Sequence, residues 1–440
     1  MSAIAQALKD PDLRKKILIT LALIILYRIG AQIPSPGVDY NAISDRLRDL
    51  TQDSSNLYSM ISLFSGGALL QLSIFAIGVM PYITAAIIVQ LLTVVIPRFE
   101  ELKREGQSGQ AKMDQYTRYL TVALALLQSA GIVALADRNQ LLGSGFNVLV
   151  PDRNTWTLIV LVLTMTAGAV LVMWFGEIIT ERGVGNGMSL LIFAGISTRI
   201  PSDGANILNS SGGVAFTVVL VAVIILVIGV VFVEQGQRRI PVQYAKRMVG
   251  RRQYGGTSTY LPLKVNQAGV IPVIFSSSLI MLPVLITEII QGGSAGVTDN
   301  WWQRNVIAHL TNPASYPYII LYFALIIFFS YFYVSVQYDP YEQAENMKKY
   351  GGFIPGIRPG RPTGQYLAYV MNRLLFVGSI YLAVIAVLPN IALDFGISAG
   401  SASVTPFGGT AILIMVSVAL TTVKQIESQL LQSNYEGLLK

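Results

Sequence analysis

The sequence predicts an all-α polytopic membrane protein with ten transmembrane helices. Hydrophobic residues make up 53% of the 440 residues and charged residues only 12%, about half the charged share of an ordinary soluble domain. Ten apolar stretches approach the roughly 20 residues that cross the hydrocarbon core of a bilayer. Lys and Arg, finally, concentrate in alternate connections between these stretches.

The apolar stretches define the predicted spans in chain order. They cover residues 16–33, 74–96, 116–136, 155–176, 185–200, 214–234, 268–290, 316–338, 369–388 and 406–426. Span 5 is short and amphipathic. Span 1 follows Lys9, Arg14, Lys15 and Lys16, as the apolar part of a signal peptide would. No small-residue cleavage site follows it, and we therefore interpret it as a retained span.

The distribution of positive charge predicts the orientation of the spans. Of the 31 Lys and Arg residues, 24 fall on one side, six on the other and one inside a span. The basic side is expected to be the cytoplasm, which places both termini there. The spans divide into residues 1–213 and 214–440. Because each half has an odd number of spans, the halves insert with opposite orientation, as the inverted repeats of many transport proteins do.

Two long hydrophilic connections on the basic side, residues 235–267 and 339–366, exceed what a helical turn requires. The first carries seven Lys and Arg residues. In the second, closely spaced Gly and Pro impose a non-helical course and hold Arg358 at a defined tip. Topology alone accounts for the positive charge. It accounts for neither the length nor the rigidity, which indicate a docking surface for a partner.

Residues 62–73 are apolar, too short to cross the membrane and interrupted by Gly66 and Gly67. A re-entrant half-helix fits this pattern, and an interfacial helix on the surface is the alternative. Spans 2 and 7 share a Gly-Val-x-Pro sequence, at residues 78–81 and 269–272. Its proline kinks a helix. These prolines either form hinges in spans 2 and 7 or simply reflect the ordinary tolerance of proline in membrane helices.

Polar, uncharged residues accompany these kinked spans: Thr84 and Gln90 on span 2, and Asn266 at the start of span 7. Such side chains hydrogen-bond between helices, and weak polar contacts suit an interface that opens. Ionisable residues such as Glu234 lie towards span ends, where we expect them to snorkel to water. The membrane interior therefore lacks the buried coupling charge of an ion-driven transporter.

Composition and motifs exclude several classes of chemistry. The chain has no cysteine and one histidine, which excludes disulfides and thiolate metal sites and argues against a histidine-based centre. It contains no nucleotide-binding motif, and the glycine-rich residues 183–187 precede a span rather than following a strand. We interpret them as a flexible turn. The sequence predicts no catalytic residue, metal or cofactor, so it predicts that this is not an enzyme.

Short motifs along nearly the whole chain closely resemble the SecY family, the central channel subunits of the bacterial Sec protein translocon. They are FSGGAL (64–69), MPYI (80–83), QLLTVVIP (90–97), QYTRY (115–119), GEIITERGVGNG (176–187), VEQGQRR (233–239), YAKRMVGRR (244–252), LPLKVNQAGVIP (261–272), GGFIPGIRPG (351–360) and PFGGTAILI (406–414). Each motif alone is modest evidence. Their shared order across ten spans makes the resemblance specific.

The resemblance implies an hourglass pore between the two halves, together with four sets of functional residues. An aliphatic pore ring matches Val79, Ile83, Ile192, Ile274 and Ile414. A short re-entrant plug helix matches Leu63, Phe64, Ser65, Gly66, Gly67, Ala68, Leu69 and Leu70. A lateral gate between spans 2 and 3 and spans 7 and 8 includes Thr84, Gln90 and Asn266. A docking face includes Arg238, Arg239, Arg251, Arg252 and Arg358.

The resemblance also implies partners and a function. The expected partners are the small membrane subunits SecE and SecG, the SecA motor ATPase, ribosomal RNA phosphates, secretory preproteins with their signal peptides, and the lipid bilayer. The expected function is passage of unfolded polypeptides across the bacterial plasma membrane, with lateral release of transmembrane segments. An inverted-repeat transporter of small solutes is the main alternative, and an intramembrane enzyme ranks below it.

Overall fold

The computed structural model describes residues 10–38, 68, 69, 71–137, 149, 154–244, 247–249, 252–254, 258–291, 306, 308–311, 315–394 and 409–438. Its helices are α1 Pro11–Gly30, α2 Met80–Val95, α3 Pro97–Arg104, α4 Gln107–Asp137, α5 Thr155–Arg182, α6 Gly187–Gln235, α7 Ile271–Gln291, α8 Ala308–Thr311, α9 Tyr316–Gln337, α10 Pro340–Lys349, α11 Arg361–Asp394 and α12 Gly409–Leu438. Its strands are β1 Gln237–Tyr244, β2 Arg247–Val249, β3 Arg252–Tyr254, β4 Ser258–Lys264 and β5 Gly352–Phe353.

Each predicted span contains helix in the described residues. By length and composition, six of these helices can cross a membrane, or seven if α2 and α3, which meet at a 99° bend, form one span. Two shorter apolar helices, Gly187–Pro201 and Ile271–Ile280, fall in spans 5 and 7. Spans 5 and 6 both lie in α6, where Gly212 has non-helical angles (φ 81°, ψ 171°). This glycine lies one residue before Gly213, the last residue of the predicted first half.

Span 2 differs from the prediction because its helix begins at Met80 rather than near residue 74. The preceding residues form turns whose backbone groups bond to the connection after α1. Ile74 N–H donates to Ile33 O and Leu72 O accepts from Ser35 N–H, both at 3.0 Å. Gly78 then takes a positive φ of 59°, which a glycine adopts without steric cost. These bonds satisfy the backbone groups that a longer helix would otherwise have paired internally.

The membrane helices pack around one large hydrophobic cluster. Helix α6 packs against α5 and α12, and α9 packs against α11. Helix α7 contacts both α2 and α4, which joins the first five spans to the last five. Phe275 of α7 packs edge-on against Phe329 of α9, with ring centroids 5.8 Å apart. The cluster contains residues from both sets of spans.

The two long hydrophilic connections fold together into a small sheet with strand order β4-β1-β5. Strands β1 and β4 form an antiparallel hairpin, and β5 of the second connection pairs with the end of β1, with Gln243 opposite Phe353. A separate hydrophobic cluster holds this unit, which we call the docking sheet, to the start of α11. It contains Ile240, Leu263, Ile354, Leu367 and Val370. Within the described residues, the predominantly helical protein thus carries this three-stranded sheet and a separate two-stranded sheet of β2 and β3.

The glycine-rich segment before span 5 is a tightly packed turn rather than a flexible one. Thr180 Oγ1 accepts a hydrogen bond from Gly187 N–H at 2.9 Å, and Asn186 Oδ1 caps α6 by accepting from Ser189 N–H at 3.2 Å. A Cβ added at Gly187 would lie 1.9 Å from Gly176 O. The glycine therefore allows the close approach of α5 and α6 backbones.

Candidate pore, gate and docking face

The five predicted ring residues are all buried in the same hydrophobic cluster. They come from four helices: Val79 and Ile83 at the start of α2, Ile192 in α6, Ile274 in α7 and Ile414 in α12. Their side chains are between 0% and 7% exposed. Residues separated by more than 300 positions are therefore buried in one apolar cluster, which we call the apolar layer. Val79 lies at the start of α2 and Ile414 lies in α12. Both sets of spans therefore contribute residues to this layer.

A cavity of about 470 Å³ with a mixed apolar and polar lining borders this apolar layer. Three ring residues, Ile83, Ile192 and Ile274, line it together with polar and charged side chains, among them Gln90, Asp114, Arg118, Glu177, Glu181 and Asn186. Arg118 Nε of α4 donates to Glu177 Oε1 of α5 at 2.7 Å, which fixes the relative position of two helices in the wall. The cavity, which we call the vestibule, thus has both aliphatic ring residues and charged side chains in its wall.

Most of the predicted plug lies outside the described residues, namely Leu63, Phe64, Ser65, Gly66, Gly67 and Leu70. Ala68 and Leu69 are described and are 1% and 2% exposed. Leu69 packs in a second hydrophobic cluster with Leu72 and with Leu161 and Met165 of α5. Ser73 N–H donates to Ala68 O at 3.1 Å. The end of the segment is thus held inside the protein.

The predicted gate residues make different contacts. Thr84 is buried, and its hydroxyl donates to Met80 O at 3.0 Å within α2. Gln90 lines both the vestibule and a neighbouring cavity of about 340 Å³ between α2, α4 and α9. Asn266 is buried and donates to Glu234 Oε2 at 3.0 Å, at the end of α6. The two buried residues therefore bond within their own sets of spans.

A different residue bridges the two sets of spans where α2, α3 and α9 meet. Lys103 Nζ of α3 donates to Val336 O in the last turn of α9. The last carbonyls of a helix have no partner within it and attract a cation. Lys103 also lines the 340 Å³ cavity with Tyr82 and Tyr333. Sequence analysis did not identify this lysine, because its partner is a backbone atom 233 residues away.

The docking sheet presents three of the five predicted arginines. Arg238 and Arg239 are exposed on β1, and Arg358 is exposed in the turn between β5 and α11. The carbonyl of Arg358 accepts from Thr363 Oγ1 at 2.8 Å, which ties this turn to the first turn of α11. Arg251 and the side chain of Arg252 lie outside the described residues. One folded unit therefore carries basic residues from both connections.

Glu234 is where the structure corrects the sequence analysis most clearly. We expected it to snorkel, but its side chain is only 8% exposed and both carboxylate oxygens accept hydrogen bonds inside the protein. The docking sheet begins three residues after it, at Gln237, and Asn266, two residues beyond β4, donates one of these two bonds. Among the described residues, no group of His, Asp and Glu is arranged to hold a metal ion.

Helices long enough to span a bilayer, together with buried aliphatic residues beside a cavity with charged walls, are features of a membrane channel. A model of the SecY family matches residues 73–423. The protein translocase subunit SecY of Corynebacterium glutamicum is 82% identical over 440 residues, which is all of both chains. The chain belongs to the SecY family, a family of multi-pass membrane channel subunits of protein translocases rather than enzymes.

Solved structures support the same fold. A SecY translocation channel whose plug domain stabilises its closed state and maintains a membrane seal matches with a TM-score of 0.65 at 19% identity. A canine Sec61 channel in complex with a ribosome, from the endoplasmic reticulum, matches with a TM-score of 0.61 at 18% identity. Each covers 94% of this chain and is itself covered to 91%. Ten transmembrane helices and a plug are features of this fold. The comparisons give no support to a small-solute transporter.

Proposed function

We propose that this chain is the central channel through which unfolded secretory polypeptides cross the bacterial plasma membrane. The burial of all five ring residues in one apolar cluster, with Ile83, Ile192 and Ile274 also lining the vestibule, carries this proposal. A polypeptide would enter the vestibule in water and pass the ring as an extended chain. The two halves, residues 1–213 and 214–440, would surround it as an hourglass, with both termini in the cytoplasm.

The ring would seal the channel when no polypeptide is present. A constriction of apolar side chains excludes ions because water leaves a narrow hydrophobic gap. Branched aliphatic side chains also repack around a moving chain of varied sequence without forming specific bonds. The plug, residues 62–73, would support this seal on the extracytoplasmic side. The burial of Ala68 and Leu69 supports an internal position for its end, in preference to an interfacial helix.

The docking sheet would receive the partners that supply energy, because the sequence contains no nucleotide-hydrolysing motif. Exposed Arg238, Arg239 and Arg358 suit the phosphates of ribosomal RNA, whose binding by arginine weakens as salt rises. They equally suit acidic groups on a SecA motor. The small subunits SecE and SecG would cover part of the apolar surface of the spans, and lipid would cover the rest.

The lateral gate would open between α2 with α4 on one side and α7 with α9 on the other. Helix α7 contacts α2 and α4, and Lys103 joins the two sides at one end. Thr84 and Asn266 bond within their own sides, so these two predicted gate residues add no hydrogen bond between the sides. Such an interface separates at modest cost and would let a hydrophobic segment pass into lipid.

Joining the two sides of the gate is expected to block lateral release of transmembrane segments. Lys103→Cys and Gln337→Cys would place thiols on α3 and at the end of α9, in a chain with no cysteine of its own. A short bifunctional thiol reagent with a cleavable disulfide should then stop membrane insertion of a substrate with one transmembrane segment. Cleavage of the reagent should restore insertion, which is measured by carbonate extraction.

The matched control joins two positions on the same side of the gate. Lys103→Cys with Lys112→Cys, in α3 and α4, receives the same reagent without bridging the gate. This pair should insert the substrate normally. Normal insertion by the joined Lys103 and Gln337 pair would contradict a lateral gate at this interface.

A further inference from the structure

A buried carboxylate lies at the point where the docking sheet meets the membrane helices. Glu234 Oε2 accepts a hydrogen bond from Asn266 Nδ2, and Glu234 Oε1 accepts one from Ser417 Oγ, both at 3.0 Å. The three side chains are between 3% and 8% exposed. A buried carboxylate is costly unless its oxygens are hydrogen-bonded. The three residues, which we call the Glu234 junction, therefore depend on one another.

Two members of the junction mark the two ends of the β1–β4 hairpin. Glu234 precedes β1 by three residues, and Asn266 follows β4 by two. Between them, Val265 N–H donates to Gly236 O at 3.0 Å and closes the base of the hairpin. A displacement of the docking sheet must therefore act directly on the junction.

The third member connects the junction to the pore ring. Ser417 lies on α12 three residues after Ile414, and residues three apart in a helix are neighbours on its surface. Asn266 Nδ2 also donates to Gly269 O at 3.2 Å. That glycine, with a φ of 63°, begins the turn into α7, which carries Ile274. Two ring residues thus lie on elements that the junction holds.

We infer that Glu234 is a positioning residue that couples the docking sheet to the pore ring. A partner that moves the sheet moves the two strand ends, and the junction passes this displacement to α12 and to the start of α7. The inference rests on the proposed function, because it requires that a partner docks on the sheet. It adds a positioning residue, Glu234, and a connection between the docking sheet and the pore ring.

A purely structural role makes a different prediction. If the junction only satisfied a buried charge, its loss would lower the stability of the whole channel. Coupling instead predicts a loss of transport in a channel that folds and binds its partner normally. Coupling between sites needs direct evidence of this kind, since proximity alone does not establish it.

The test is Ser417→Ala, which removes the connection to α12 and leaves the Asn266 bond in place. Purified channel complex in proteoliposomes is supplied with SecA, ATP and a model preprotein. The maximal export rate at saturating SecA should fall about tenfold, which is within the range by which residues between two coupled sites change their coupling. The SecA concentration that gives half the maximal rate should stay unchanged.

Two variants control for local damage. Thr422→Val removes a hydroxyl of α12 that donates only to Val418 O of its own helix, at 2.8 Å, and should export at the normal rate. Glu234→Gln keeps a carbonyl oxygen that accepts from Asn266 and an amide that donates to Ser417, so it should retain most of the rate. Ser417→Ala combined with Glu234→Leu should be no slower than Glu234→Leu alone, because both remove the same connection.

An unchanged maximal rate for Ser417→Ala would overturn the inference. So would a matching rise in the half-saturating SecA concentration, which indicates weakened docking, or a fall in rate confined to temperatures at which the variant begins to melt, which indicates a structural role. Failure of the proposed function is distinguishable. In that case the unmodified channel would show no SecA-dependent export, or Arg358→Glu would leave SecA binding intact.

Discussion

Arg358→Glu is expected to abolish SecA-driven export while leaving the channel folded. Arg358 is exposed at the turn between β5 and α11, so reversing its charge costs the channel little stability. In a docked complex the same change places two like charges together. Losing one partner of a buried charge pair typically costs about 2–5 kcal/mol, which weakens binding more than tenfold. Export into proteoliposomes and SecA binding to the same vesicles measure the effect.

Arg361→Glu separates a specific contact from a general loss of positive charge. Arg361 is exposed three residues further on, at the first position of α11, where a carboxylate interacts favourably with the helix dipole. The net charge change is identical. Export by Arg361→Glu should fall only slightly. Normal export by Arg358→Glu, or equal losses in both variants, would argue against a docking contact at Arg358.

Ile83→Gly combined with Ile192→Gly is expected to make the idle channel leak ions. Both side chains lie in the apolar layer and line the vestibule. Their removal deletes about 3–6 kcal/mol of apolar burial, so water can occupy the gap that the side chains filled. Ion conductance through single channels in a planar bilayer should rise at least about tenfold.

Glycine also destabilises helices. The control variant must therefore contain the same number of Ile→Gly substitutions in helices. Ile179 of α5 and Ile326 of α9 belong to the same cluster and are fully buried, but neither is a ring residue. Ile179→Gly with Ile326→Gly should destabilise the protein without raising conductance. An unchanged conductance in the ring variant, or an equal rise in the control, would reject the aliphatic seal.

The spans can be predicted from local sequence, and the ring residues from the resemblance to the SecY family. Hydropathy and positive charge predict spans because each helix must satisfy its own backbone in lipid. Ile83 and Ile414 lie within the motifs MPYI and PFGGTAILI, and Val79, Ile192 and Ile274 lie within five residues of a quoted motif. In the structure these residues share one cluster, although their role in sealing stays a prediction.

Features that depend on distant pairing escaped the sequence analysis. The docking sheet requires β1 to pair with β5 more than 100 residues later, and hydropathy does not encode that register. Glu234 looked like a span-end residue with access to water. Its burial depends on the hairpin that follows it and on Ser417, 183 residues away. The late start of α2 likewise reflects bonds from the connection after α1.

The most direct test of the central claim asks whether a polypeptide in transit touches the ring. A photoreactive amino acid is placed at Ile192 or Ile274, and at Ile225, which is 64% exposed on the apolar surface of α6. A preprotein is stalled in the channel by a folded domain at its end, and the sample is irradiated. We predict adducts with the preprotein from Ile192 and Ile274 and none from Ile225. Adducts from Ile225 alone, or from none of the three, would contradict a protein-conducting pore at this ring.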